Sequence, residues 1–235
     1  MLTLSRQPSG EPEIFCSVQG EGVTAGTPSA FLRLAICNLS CVWCDTKYTW
    51  DWDRYDRRTE VMSMAVDEVA ERVIAFQVPH LVITGGEPML QQAELAPLAE
   101  YLSSLGYFNE VETNGTISPS PEMLASVSQW NVSPKTASSG NDQTRREIPW
   151  ALDSFRQLDN AFFKFVVVNP PDVEEVRELV DRFRLPAERV LLMPEGITAN
   201  AVQKRGQWLA ESCVRHGFRF STRLHILLWG DVRAR

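Results

Sequence analysis

Short apolar runs alternate with amphipathic stretches along most of the chain, a pattern that reads as strands followed by helices. Residues 13–18 (EIFCSV) begin as a strand and give way to Gln19-Gly20-Glu21-Gly22, where the glycines permit sharp turns and close ligand approach. Residues 29–36 (SAFLRLAI) form a strand-length apolar run interrupted only by Arg33. Ser63 is the expected N-cap of a helix with Val66, Val69, Ala70, Val73 and Ile74 on one face. A strand over 80–84 then ends in Gly85-Gly86-Glu87-Pro88. The next helix, 92–105, carries a stripe of Leu95, Leu98, Ala99 and Leu102 and stops at Gly106. A strand over 108–112 closes in Thr113-Asn114-Gly115. A helix over 121–128 and a short strand at 130–132 lead to Ser133-Pro134-Lys135. The run FFKFVVV (162–168) is the most apolar strand in the chain. Pro171 opens a helix to Arg184 that is acidic at its start and basic at its end. A strand over 189–192 ends in Met193-Pro194-Glu195-Gly196, Thr198 caps a helix to His216, and a last strand spans 218–223. The expected irregular parts are a loose leader (1–12), the loop 37–46, an excursion over 47–60, a mobile loop over 136–147, and a C-terminal tail at 224–235 that is apolar over 224–230 with His225 embedded.

About six strand–helix alternations argue for a parallel sheet with crossover helices. At 235 residues the chain is short for a full eightfold barrel, which typically takes about 250. The expected fold is α/β, a single-domain, incomplete (open) TIM-like barrel. The motifs at the strand ends would then share its carboxyl-terminal face. A hydrophobic fraction of 44% supports one sizeable core. The net charge of −7, without a dense basic block, argues against nucleic acid. No apolar run reaches membrane-spanning length and no signal segment is visible, so a cytoplasmic protein is expected.

The candidate chemistry lies in 37–46, where Cys37, Cys41 and Cys44 are spaced C-x3-C-x2-C. Three thiolates would leave one iron of a four-iron cluster open to a small ligand. Three cysteines also make most of a Cys3His zinc site, but no second ligand pair follows, and His80, His216 and His225 are scattered. An electron carrier would want a fourth cysteine nearby. Five cysteines, an odd number, argue against a disulfide framework; isolated Cys16 reads as a small packed side chain. Arg33 either bridges to a buried acid or faces an anionic ligand, and Lys135 is either a solvated lysine or a point charge for an anion. Trp50 and Trp52 form part of a lid or an outer packing contact.

The pattern C-x3-C-x-aromatic-C, with Trp43 at the aromatic place, resembles the radical S-adenosylmethionine (SAM) enzymes. With Gln19-Gly20-Glu21-Gly22, Arg33, Cys44-Asp45-Thr46, GGEP, Glu112-Thr113-Asn114-Gly115, Ser133-Pro134-Lys135 and His225 shortly before Leu227-Leu228-Trp229-Gly230, the chain resembles one family in particular, the 7-carboxy-7-deazaguanine synthases. The resemblance runs from about Glu13 to Gly230. It implies that Cys37, Cys41 and Cys44 hold a 4Fe-4S cluster and that SAM binds its open iron. Trp43, Cys44, Asp45, Gly86, Glu112, Ser133, Pro134, Lys135, Met193, Pro194, Glu195 and Gly196 would form the SAM pocket, and Thr46 would contact magnesium. It further implies that Val18, Gln19, Gly20, Glu21, Arg33, Thr84 and His225 bind 6-carboxy-5,6,7,8-tetrahydropterin. Radical ring contraction would yield 7-carboxy-7-deazaguanine and ammonia in queuosine and 7-deazapurine biosynthesis. A homodimer served by a flavodoxin-like or ferredoxin-like electron donor is implied as well. Another radical SAM enzyme, such as a glycyl-radical activase, would share the cluster and GGEP. Family members can bring a terminal carboxylate to the substrate, but here the chain continues past Gly230 as a basic ending, Asp231 to Arg235.

Overall fold

Apolar and polar residues alternate along the central strands, and that alternation separates two interiors. The structure, a computed structural model, describes residues 1–235. Its strands are β1 (Leu2–Ser5), β2 (Ile14–Val18), β3 (Pro28–Leu34), β4 (Val61–Met64), β5 (His80–Gly85), β6 (Phe108–Thr113), β7 (Gln129–Val132), β8 (Ala161–Val167), β9 (Val190–Pro194) and β10 (Arg219–Phe220). They form one sheet in the order β10-β9-β8-β7-β6-β5-β3-β1-β4, with β2 also on β3. From β3 through β10 the neighbours are parallel, whereas β1, β2 and β4 pair antiparallel. The edges do not meet, so the expected open barrel is what forms.

The helices are α1 (Arg57–Glu60), α2 (Val66–Ala75), α3 (Gln92–Ser104), α4 (Pro121–Ser126), α5 (Gln143–Arg146), α6 (Pro149–Arg156), α7 (Pro170–Phe183), α8 (Ala199–His216) and α9 (Leu224–Trp229). None is long and apolar enough to cross a membrane. One face of the sheet carries Leu32, Leu81, Ile83, Val111, Trp130, Val132, Phe163, Phe165 and Leu192, which pack with Val69, Leu95, Leu98, Phe155, Val176 and Leu209 of the helices in one core. The alternate residues project into the concave side: Arg33, Thr84, Glu112, Lys164, Val166 and Met193 all line one cleft. Beneath it lies Glu110, fully buried, which accepts from Gln19 Nε2 (2.6 Å) and Thr24 Oγ1 (2.7 Å) and hydrogen-bonds His80 Nε2 (2.9 Å). Since Gln19 and Thr24 flank the β2–β3 turn, this carboxylate anchors the turn under the barrel and lifts Gly20 and Glu21 into the cleft.

Several expectations need correction. The leader is not loose: Leu2 and Leu4 are fully buried, alternate as a strand should, and pair β1 with β4. Ser63 lies in β4 opposite Thr3; Ala65 precedes α2, and the Glu68 carboxylate accepts from its N–H (3.3 Å). The excursion 47–60 contains a 3-10 turn (Lys47–Thr49) and α1, which Asp56 caps by accepting from Arg58 N at 2.9 Å. Residues 136–147 are no free loop: Ser139, Asn141 and Arg146 are buried there. Helix α6, with Leu152 and Phe155 in the core, was not expected. The last strand is only two residues long, Arg223 beyond it lines the cleft, and the apolar tail is helical as α9. Cys16 is exposed.

Candidate active site

At the end of β3 the chain must turn sharply into the cysteine loop. Ile36 does this at a φ of 75°, strained for a β-branched residue and held by its N–H to Thr49 O (2.7 Å) and its carbonyl to Glu87 N (2.8 Å). The end of β5 passes so close that a Cβ on Gly85 would lie 2.1 Å from Leu34 O, and one on Gly86 2.1 Å from Ile36 O. The glycine pair thus lets two strand ends touch backbone to backbone. Glu87, fully buried, ties in a third by accepting from Thr113 Oγ1 (2.7 Å), Asn114 N (2.6 Å) and Met89 N (3.0 Å). Burial nevertheless pushes its carboxyl above the ordinary value. Asn114 Nδ2 donates to Asn38 Oδ1 (2.8 Å), inside the cysteine loop.

The loop brings Cys37, Cys41 and Cys44 to one end of the cleft, beside Trp43, Asp45, Thr46 and Trp50. Burial, with the Glu87 carboxylate adding to it, pushes the Cys37 thiol up to about 12, and burial raises Cys41 too. Loading a metal group must therefore release protons. No three His, Cys, Asp or Glu side chains converge tightly enough for a single ion. Three thiols lining one cleft, with the other two cysteines, Cys16 and Cys213, outside that lining, suit a cluster that keeps one iron open. The buried Trp43 Nε1 has no partner in the chain and lines the same cleft, as a ligand-facing donor would.

The cleft floor is ionic. Lys164 Nζ lies 2.5 Å from Glu21 Oε2 and 3.2 Å from Glu112 Oε1. Arg223 Nε lies 3.0 Å from Glu21 Oε1, its Nη2 pairs with Asp45, and its Nη1 donates to Gly196 O at 2.7 Å. Burial alone would raise the Glu21 carboxyl, but Lys164 and Arg223 hold it well below the usual carboxylate range. Burial opposes the charge on Lys164 as well, yet Glu112 and Glu21 hold its ammonium above the ordinary value. Thr84 Oγ1 donates to Glu112 Oε2 (2.8 Å). His225 packs against Gly20, where a Cβ would lie 2.1 Å from its Nδ1. Burial lowers its basicity further than Glu21 raises it, which favours the neutral ring.

Arg33 bridges to a buried acid, the first of its two expected roles, and also lines the cleft. Its Nε donates to fully buried Glu13 Oε1 at 2.7 Å, while the guanidinium lines the cleft. Glu13 also accepts from Tyr48 OH (3.0 Å) and, on Oε2, from Arg233 Nε (3.1 Å). Arg233 lies over the Tyr48 ring at 3.5 Å, and Arg235 reaches the cleft. The basic ending is therefore folded against the site. Lys135 is no surface lysine: its Nζ donates to Ser133 Oγ (2.8 Å) and stands 5.7 Å from the Trp43 ring.

Val18, Gln19, Gly20, Glu21, Arg33, Thr84 and His225 all line the cleft, as do Trp43, Asp45, Gly86, Glu112, Ser133, Lys135, Met193 and Glu195. Pro134, Pro194 and Gly196 are not among the residues that line it. Lys164, Arg223 and Glu13 were not anticipated from the sequence, and Glu87 was anticipated only as part of the GGEP motif. Of the first three, only Lys164 left a signal, a lone ammonium inside an apolar strand that can be buried only with acids to pair.

Residues 33–184 match the radical SAM superfamily. The chain is 40% identical to the 7-carboxy-7-deazaguanine synthase of Pyrobaculum aerophilum over 95% of this chain and 96% of that one. It is 37% identical to the synthase of Halobacterium salinarum, over 94% and 90%. The crystal structure of QueE from Escherichia coli superposes with a TM-score of 0.65 at 27% identity, covering 95% of both chains. The chain thus belongs to the 7-carboxy-7-deazaguanine synthase family within the radical SAM superfamily, whose members work with a 4Fe-4S cluster and SAM.

Proposed function

We propose that this cleft converts 6-carboxy-5,6,7,8-tetrahydropterin into 7-carboxy-7-deazaguanine and ammonia, a carbon–nitrogen lyase step. The observation that carries this reading is the layout of one continuous cleft: three thiols at one end, an arginine fork on another wall, and a paired ionic floor. Cys37, Cys41 and Cys44 would hold the cluster; cluster and SAM, when bound, supply the 5'-deoxyadenosyl radical that takes hydrogen from C6 of the pterin.

The chain's own residues bind and orient. Arg33 uses Nε on Glu13, which leaves both terminal nitrogens for bidentate capture of the substrate carboxylate. Glu21 is charged and already accepts from Lys164 and Arg223, yet a carboxylate offers about four acceptor sites, enough for the N–H edge of a pterin as well. Gln19 positions it, since its Oε1 accepts from Glu21 N at 3.2 Å. Thr84, His225, Val18 and the Gly20 backbone complete the substrate side. Trp43, Asp45, Gly86, Glu112, Ser133, Lys135, Met193 and Glu195 face SAM, with Pro134, Pro194 and Gly196 shaping the adjoining backbone. Thr46 would give magnesium one oxygen, the substrate and water supplying the rest of an octahedral shell. The working form in this reading is a cytoplasmic homodimer fed by a small one-electron donor protein. Replacing Arg33 by Ala should abolish deazapurine formation while leaving uncoupled SAM cleavage; undiminished turnover would remove Arg33 from its role.

A further inference from the structure

Every cysteine of the loop receives an N–H from the chain. Cys37 Sγ accepts from the Leu39 backbone (3.4 Å), Cys41 Sγ from Asn141 Nδ2 (3.3 Å), and Cys44 Sγ from Trp50 Nε1 (3.4 Å). The first belongs to the loop itself. The other two are side chains delivered from different segments, and neither follows from the cysteine spacing. Asn141 cannot offer its oxygen to the sulfur instead. Its Oδ1 accepts from Ser40 N at 2.9 Å, and its Nδ2 also donates to Ser139 Oγ at 3.2 Å, so a flipped amide would face one N–H with another and set oxygen against sulfur. Asn141 is 7% exposed, and its segment is fixed by Val42 N to Ser139 O (2.9 Å) and Arg145 Nη2 to Asn38 O (2.6 Å). For Trp50, the sulfur is the indole N–H's hydrogen-bond partner within the chain.

We infer that Asn141 and Trp50 are positioning residues for electron entry, whose N–H groups on the Cys41 and Cys44 sulfurs make the bound cluster easier to reduce. Reduction adds one electron, from a one-electron donor protein, and in that step no bond is made or broken. The added negative charge spreads over iron and the ligand sulfurs, so a donor aimed at sulfur stabilises the reduced form more than the oxidised one. The inference rests on the cluster assigned under the proposed function.

The test uses the anaerobically reconstituted full chain and variants Trp50→Phe, which removes the N–H but keeps an aromatic side chain, and Asn141→Leu. Iron content is measured first, then the midpoint by titration followed by electron paramagnetic resonance. Each variant should load as the parent does and titrate at a lower potential. With both donors removed, reduced cluster relative to oxidised should fall about tenfold at a fixed donor potential, which for a one-electron couple is about 59 mV. Loaded variants with an unchanged midpoint would overturn the inference. The parent protein provides a second measurement that needs no variant to fold: with tryptophan labelled in nitrogen-15, the reduced cluster should show a weak hyperfine coupling to an indole nitrogen, and its absence would equally overturn the role of Trp50. Failure of the parent to load any cluster would instead defeat the proposed function.

Discussion

Lys164 bridges two acids of the cleft floor, and its replacement by methionine has a calculable effect. The ammonium is 5% exposed and serves Glu21 at 2.5 Å and Glu112 at 3.2 Å. Methionine fills a similar volume, so the dominant loss is electrostatic: two acids remain in a poorly solvated cleft with one cation fewer. Breaking a buried pair by removing one partner costs about 3–5 kcal/mol. For a chain of this size that is a fall in Tm of about 6–20 °C, at about 2–4 °C per kcal/mol. The assay is denaturant unfolding of the metal-free, reduced protein, run for the parent, Lys164→Met, Glu21→Gln and the double variant. The cycle should return a coupling of about 2 kcal/mol or more, because the lysine has less to neutralise once Glu21 is an amide. The pH dependence gives an independent check. Glu21 is held below its ordinary value of 4.5, so its contribution is complete above that pH and is lost as pH falls through the depressed folded value. Without Lys164 the depression shrinks and the penalty is already present at neutral pH. The gap between parent and variant should therefore narrow on acidification below 4.5. A loss under about 1 kcal/mol with no coupling, or a gap that widens in acid, would refute the reasoning.

Three further substitutions probe the walls. Gly20→Ala places a Cβ 2.1 Å from His225 Nδ1 and must displace the ring, so KM for the carboxypterin should rise about tenfold or more with cluster loading intact; an unchanged KM would show that His225 does not contribute. In Gly86→Ala the new Cβ meets the Ile36 carbonyl, backbone that cannot rotate away, so about 1–3 kcal/mol of stability and the iron content should fall together; full loading at parental stability would contradict the crossing described for these loops. Arg233→Met takes one of two arginines from Glu13 and uncovers Tyr48; the freed carboxylate should draw Arg33 inward, raising KM while kcat is retained, whereas a lower kcat at constant KM would place the tail's influence elsewhere.

The helix-facing half of the barrel was legible because apolar residues recur there at strand and helix spacing, as in Phe163, Phe165 and Val167 against Val176 of α7. The concave half was not. Glu110, Asn131 and Lys164 occupy alternate positions inside strands rather than motifs at strand ends, and a polar barrel interior has no periodic signature of its own. Motifs at strand ends placed the cleft correctly because parallel topology sends those ends to one face. Arg223 and Asn141 were hidden in stretches whose composition suggests a strand and a mobile loop; their roles come from partners 178 and 100 residues away, Asp45 and Cys41. Arg33 was recognised as either paired or ligand-facing, and the geometry of its fork allows both at once.

The central claim is that one cleft couples a three-thiolate cluster to a carboxylated pterin. Anaerobic incubation of the reduced, reconstituted protein with SAM and 6-carboxy-5,6,7,8-tetrahydropterin, followed by product identification, tests it most directly. The account predicts 7-carboxy-7-deazaguanine and an equal amount of ammonia, with SAM turned over catalytically. Cleavage of SAM at a rate indifferent to the pterin, with no deazapurine formed, would contradict it.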